Sequence, residues 1–143
     1  RSMAGMRIGF CIGHPALIRC LNDVKFSFNS YTMNQAALVC GVEAVKADGY
    51  FREAVRKIVD TREWAKKELA RLGFSFTDSR TNFLFARHPE KDAGELFEML
   101  KREQIYVRYF GGGRTSRYLR ITVGTREEME ALFAALERLV QKV

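Results

Sequence analysis

The chain is poor in proline and histidine, has one tryptophan, and has no long apolar run. Its 143 residues include two prolines and two histidines, so few positions force a break in a helical pattern. No stretch nears the ~20 apolar residues that a bilayer span requires, and the start shows no leader pattern. Membrane partners are therefore not expected. Cysteine is scarce too: Cys11, Cys20 and Cys40 are odd in number and form no C-x-x-C pair. They are expected to be reduced, mostly buried thiols of a cytoplasmic protein. His14 and His88 each precede a proline and share no ligand spacing with the cysteines, so no metal site is expected. The formal charge is +7, from 24 Lys and Arg against 17 Asp and Glu, yet no dense basic cluster occurs. A diffuse excess of this kind reads as a solvated surface, and no nucleic-acid partner is expected.

What is present is a globular balance, 47% hydrophobic and 29% charged. A chain of this size buries roughly 70% of its unfolded surface, enough for a self-sufficient core. "MRIGFCIG" reads as a buried strand between Gly5 and Gly13, with Arg7 at its start. "HPALIRCLNDVK" reads as a short amphipathic helix and "FSFNSYTMN" as a loop. A helical pattern runs from Gln35 to Lys46, is interrupted at Gly49, and resumes with Val55, Ile58, Ala65, Leu69 and Leu72 on one stripe. Gly73 is placed to end it.

Beyond Gly73 the rhythm changes. "FSF" and "NFLFAR" read as strands joined by "TDSRT". "DAGELFEMLKREQ" reads as a helix with Leu96, Phe97 and Leu100 inward, "IYVRYF" as a strand, "GGGRTSR" as a flexible loop and "YLRITV" as a strand. The closing helix, "TREEMEALFAALERLVQKV", carries a capping box at Thr125 and Glu128 and a buried stripe from Met129 to Val140. The second half is thus expected to be an α+β unit, antiparallel strands with helices on one face.

Strand alternation makes one pair of residues informative. Leu119, Ile121 and Val123 share one face, so Arg120 points away. Arg108 likewise lies opposite Ile105 and Val107. A symmetric register about Arg114 sets Arg108 across from Arg120. Like charges directly opposite repel. Water could relieve the repulsion, and so could an anion gripped by two guanidinium forks. Two solvated arginines on unpaired strands remain an alternative. The Gly-Gly-Gly run lacks the Gly-Lys-Ser/Thr ending of a phosphate loop and leads into no helix.

"YLRITVGTREEMEALFAAL" resembles the C-terminal signature of histidinol-phosphate aminotransferases, pyridoxal-phosphate (PLP) enzymes of fold type I. "MAGMRIGF" is similar to the segment that follows their Schiff-base lysine. "FNSYTMNQAALVCGVEA" resembles their Pro-Tyr-Asn-Val-Asn stretch, with Asn29 and Gln35 matching, Ser27 in place of the proline and Tyr31 in place of the second asparagine. "TNFLFAR" is similar to their Ala-Asn-Phe strand at Asn82.

The resemblance implies an α+β / α/β chain. It would be the end of a fold type I large domain, a long connecting helix, and a C-terminal small domain whose antiparallel sheet is covered by helices. Residues 1–48 would be the large-domain remnant and the start of the connecting helix, and residues 49–143 the small domain. Arg7 would hold the PLP phosphate. Arg120 would grip the acidic end of the substrates, assisted by Arg108. Those substrates would be a phosphorylated amino compound and glutamate or 2-oxoglutarate. The family's lysine would fall upstream of Arg1, so this chain would hold no catalytic residue, would not bind PLP by itself, and would be inactive alone. None of Lys25, Lys46, Lys57, Lys66 and Lys67 fits its position, and the four on helices are expected to be solvated. A homodimer would follow, with association or segment exchange through residues before about Asp60. A threonine-phosphate decarboxylase, another aminotransferase, or a stand-alone anion-binding α+β module remain alternatives.

Overall fold

Helical runs dominate the first third of the chain, and alternating strands appear only after Gly73. The computed structural model describes residue 1 and residues 3–141. They form two compact units, Arg1–Ala54 and Val55–Val143.

The first unit holds a 3₁₀ turn at Ala4–Met6 and two helices, α1 (Pro15–Phe28) and α2 (Gln35–Lys46). Pro15 opens α1, where its missing N–H costs nothing, and His14 Nδ1 accepts the Ala16 N–H at 3.3 Å. Asn34 caps α2 by accepting the Ala37 N–H at 2.8 Å. α1 runs on to Phe28, and Ser27 Oγ donates back to the Asp23 carbonyl at 2.6 Å. The loop expected over "FSFNSYTMN" is therefore confined to residues 29–34. α3 (Asp48–Arg71) begins after a one-residue break at Ala47, whose ψ is 50°. Gly49 lies inside its first turn rather than at the break.

Two expectations fail in this unit. Residues 8–13 form no strand, and Ile8, Phe10 and Ile12 are exposed. A strand is held by ladder bonds to a neighbour, and no strand lies among the described residues of this unit to supply them. The cysteines are not buried either: Cys11, Cys20 and Cys40 are all exposed. α1 buries no residue and α2 only Ala37, so apolar sequence surroundings do not become a covering layer here.

The second unit is built on a four-stranded antiparallel sheet of order β1-β2-β4-β3. The strands are β1 (Ser75–Phe76), β2 (Phe83–Arg87), β3 (Arg108–Tyr109) and β4 (Leu119–Thr122), with helices α4 (Ala93–Arg102) and α5 (Arg126–Gln141). Of the helix expected to close the chain, Lys142 and Val143 lie outside the described residues. Leu84 and Ala86 of β2 and Leu119 and Ile121 of β4 face the helices. They meet Ala65 and Leu69 of α3, Leu96 and Leu100 of α4, and Met129, Leu132, Phe133 and Leu136 of α5. On the expected α3 stripe, Ala65, Leu69 and Leu72 are buried, whereas Val55 is exposed and Ile58 half-buried.

Helix ends set the chain's turns. Gly73 adopts φ +80°, and Phe74 N–H reaches the Leu69 carbonyl at 2.9 Å while Gly73 N–H reaches Ala70 at 3.1 Å. This paired closure ends α3 and aims the chain into β1. α4 closes the same way through Gln104 at φ 60°, with Ile105 N–H on the Leu100 carbonyl at 2.9 Å. The capping box of α5 is complete: Thr125 N–H donates to Glu128 at 2.8 Å, and Glu128 N–H to Thr125 Oγ1 at 3.3 Å. "IYVRYF" pairs over two residues only. Residues 105–107 lie outside the pairing with β4, and Ile105 and Val107 line a cavity of about 460 Å³ with Ile121, Met129 and Leu132. The expected "GGGRTSR" loop contains a 3₁₀ turn at Gly113–Thr115.

Trp64, the single tryptophan, packs edge-on against Phe133 at 5.2 Å and reports on this core. Leu84→Ala is expected to lower the stability of the second unit by about 2–5 kcal/mol, because the fully buried site cannot collapse completely. Gly73→Ala is expected to cost about 1–2 kcal/mol through its left-handed backbone. Urea titration followed by Trp64 fluorescence measures both.

Candidate anion-binding site

β4 lies between β2 and β3. Arg120 is paired with Phe85 of β2 on one side and with Arg108 of β3 on the other. The expected cross-strand opposition of Arg108 and Arg120 is therefore present. Both side chains lie on the face away from the helices, since Leu119 and Ile121 point into the core.

Rings surround the pair where acids would ordinarily be found. The Arg120 guanidinium carbon is 5.5 Å from the Phe83 ring centroid and 5.7 Å from that of Phe110. The Arg108 guanidinium carbon is 5.6 Å from the same Phe110 ring. Phe85 stacks on Tyr118 at 4.6 Å, and Arg87 lies 5.8 Å over Tyr118. Arg120 Nε is buried and has no hydrogen-bond partner. Neither arginine forms an ion pair among the described residues. A buried donor without a partner is costly, and an acceptor placed here would relieve that cost. Two forks on one face suit a carboxylate or phosphate.

The sequence pattern located the two arginines but not the rings. Their signal was available: Phe83 and Phe85 alternate with the core residues Leu84 and Ala86, which places them on Arg120's face. Phe110 could not be assigned this way, because it lies beyond the paired part of β3.

Arg7, in the first unit, is exposed and has φ 57°, with its N–H on the Ala4 carbonyl at 3.1 Å. A left-handed conformation is uncommon for a residue with a Cβ and marks a place where the chain is held against its preference. No side-chain hydrogen bond or ion pair of Arg7 forms among the described residues.

Other titratable groups serve the fold. His88 Nδ1 accepts the N–H groups of Glu90 and Lys91 at 3.3 and 3.1 Å. Buried Arg62 donates to the Thr81 carbonyl at 3.1 Å and to Glu63 at 2.9 Å. Lys66 is not solvated as expected: its side chain is 11% exposed and paired with Asp78 at 2.6 Å and Glu63 at 3.0 Å. The Asp78 hydrogen bond raises its pKa above the usual lysine value. A lysine that attacks a carbonyl needs a lowered pKa, so Lys66 is a structural cation. The 460 Å³ cavity offers one carboxylate, Glu128, already engaged in the α5 cap.

Comparisons with known proteins give the family. Residues 1–136 match the family of class I and II aminotransferases. The chain belongs to that family. It is 42% identical over 143 residues to a histidinol-phosphate aminotransferase of Clostridium botulinum (strain Kyoto / Type A2), covering 100% of this chain and 40% of the relative. It is 48% identical over 141 residues to a histidinol-phosphate aminotransferase of Marinomonas sp. (strain MWYL1), covering 97% and 40%. The crystal structure of the Sinorhizobium meliloti histidinol-phosphate aminotransferase, in complex with pyridoxal-5'-phosphate, superimposes with a TM-score of 0.80 at 25% identity, covering 97% of this chain and 38% of that one. The chain spans about 40% of the length of the curated relatives it matches.

The ion pairs predict a pH dependence. Hydrogen bonding and charge from Lys66 hold the Asp78 carboxyl below its ordinary value. A depressed folded-state pKa stabilises above the unfolded value, about 3.9, and that stability is lost as pH falls through the folded value. Asp78→Asn is therefore expected to lower the urea midpoint at neutral pH, by an amount that shrinks below about pH 4. The raised Lys66 pKa acts oppositely: its contribution is present below about pH 10.4 and fades as pH rises through the folded value. Denaturation midpoints across pH for wild type and variant check both limbs.

Proposed function

We propose that this chain is the C-terminal part of a PLP-dependent histidinol-phosphate aminotransferase, exchanging an amino group between histidinol phosphate and 2-oxoglutarate in histidine biosynthesis. The observation that carries this is the opposed Arg108–Arg120 pair with a buried Arg120 Nε awaiting an acceptor. Further support comes from family membership and from relatives of that name at 42% and 48% identity.

PLP, when bound, supplies an electron sink for cleavage of a bond at the amino-bearing carbon. Arg7 fits its phosphate: the guanidinium is exposed, unpaired among the described residues, and flanked by Gly5 and Gly9, where an added Cβ would meet nothing within 4 Å. Arg7 binds that dianion as a fixed charge. Arg120 grips the carboxylate of glutamate or 2-oxoglutarate in one half-reaction and the phosphate of the other substrate in the next. Arg108 assists with the phosphate, which carries more charge than a carboxylate. Neither arginine moves a proton. The lysine that does so would be contributed by sequence outside this chain, as the resemblance of "MAGMRIGF" to the segment after the family's Schiff-base lysine implies; Lys66 is tied into ion pairs. Residues 1–48 would then belong to the large domain and 49–143 to the small domain. The chain by itself retains no PLP and is inactive. Its parent works in the cytoplasm as a homodimer. The exposed apolar side chains of the first unit, among them Phe10, Leu17, Leu21, Val24 and Val42, favour association with another chain.

In the whole enzyme, Arg120→Gln is expected to lower kcat/KM for histidinol phosphate about 100-fold or more, as loss of a charge-assisted fork would. Arg7→Gln is expected to weaken PLP retention about tenfold or more, read by dialysis and absorbance. Steady-state assay with histidinol phosphate and 2-oxoglutarate decides the proposal: no amino transfer by the whole enzyme would refute it. Sedimentation of the 143-residue chain is expected to show concentration-dependent dimers, and a clean monomer at high concentration would count against the association.

A further inference from the structure

We infer that Phe110 is a positioning residue that holds Arg108 and Arg120 as a single anion-binding fork; this rests on the assignment of that pair to substrate anions. One ring serves both cations, with its centroid 5.6 Å from the Arg108 guanidinium carbon and 5.7 Å from that of Arg120. Phe110 in turn leans on Phe85 at 6.5 Å, and Phe85 is held by its stack on Tyr118. The ring is thus anchored to the sheet through β2 even though it lies just outside β3.

The chemistry explains why a ring stands here. Arg108 and Arg120 are directly opposed and repel. An acidic neighbour would relieve that repulsion, but it would also occupy the N–H donors that an incoming anion needs. An aromatic face attracts a guanidinium through its quadrupole. That attraction need not use the N–H donors, which lie in the guanidinium plane. Phe110 therefore steadies two like charges while leaving their donors for the ligand. Phe83 adds a second ring, 5.5 Å from Arg120 alone, so Phe110 is the residue that couples the pair. The three residues that follow, 111, 112 and 113, are glycines and add no side chain next to the ring.

The test uses the 143-residue chain and inorganic phosphate, titrated while the arginine Nε–Hε resonances are followed. Wild type is expected to bind phosphate with shifts at Arg108 and Arg120, and Arg120→Gln to abolish them. Phe110→Leu is expected to weaken phosphate about tenfold, and Phe110→Trp to retain it within about twofold. Trp64 fluorescence in urea checks that the core is unaltered. Phe110→Met, unbranched and similarly bulky, replaces the leucine variant if that one does not fold.

In the whole enzyme Phe110→Leu should raise KM for the phosphorylated substrate about tenfold with kcat within about twofold, and Phe110→Trp should leave both within about twofold. A merely structural role would not give this split. The inference is overturned if the leucine variant binds phosphate like wild type, if tryptophan does not rescue, or if wild type binds no phosphate. Phosphate binding that follows the expected order, in an enzyme that does not transfer the amino group of histidinol phosphate, would instead overturn the functional assignment and leave the fork standing.

Discussion

The second unit depends on the antiparallel seating of β4 between β2 and β3. That single strand contributes Leu119 and Ile121 to the core and Arg120 to the opposite face. Because side chains alternate, a one-residue slip of β4 would bury the arginine and expose the leucine and isoleucine. The helices therefore enforce the register that sets Arg120 opposite Arg108. Leu69, Leu100 and Leu136, each fully buried, come from three different helices and close over the same side of the sheet. Packing on one face and chemistry on the other are two consequences of one alignment.

The site is built on unrelieved charge. Several cations on the helices are paired: Arg71 with Glu137 at 2.6 Å, Lys66 with Asp78, Arg126 with Glu130 at 2.8 Å. Arg126 also stacks on Trp64 at 3.5 Å. Arg108 and Arg120 have rings in place of acids. Exposed pairs such as Arg126–Glu130 contribute little to stability, whereas a cation kept from acids retains its full capacity for a ligand. The same economy applies to Arg7, whose left-handed backbone and side chain, unpaired among the described residues, stand apart from the capped helices that follow it.

Local rules were legible wherever the chain supplies its own partners. The caps at Gly73, Asn34 and Thr125–Glu128 rest on contacts within four or five residues, and each forms as its residue types dictate. The apolar stripes of α4 and α5 identified the core face correctly, since 3.6-residue spacing leaves one solution. The pairing of Arg108 with Arg120 was readable because a symmetric hairpin register follows from two strand patterns and one loop. Failures occurred where a partner had to come from elsewhere. "MRIGFCIG" has strand composition, but composition supplies no ladder bonds. Cys11, Cys20 and Cys40 have apolar neighbours in sequence without being covered in space.

The amino-acid sequence by itself determined the helices, the strands beyond Gly73, their inward faces and the two arginines that oppose each other, because these follow from backbone periodicity and short-range capping. Only the tertiary structure decided that Phe110 serves both guanidinium groups, that Arg120 Nε is left without an acceptor, and that Lys66 is tied between Asp78 and Glu63. Those relations join residues on separate elements, and no periodicity encodes the distance between them.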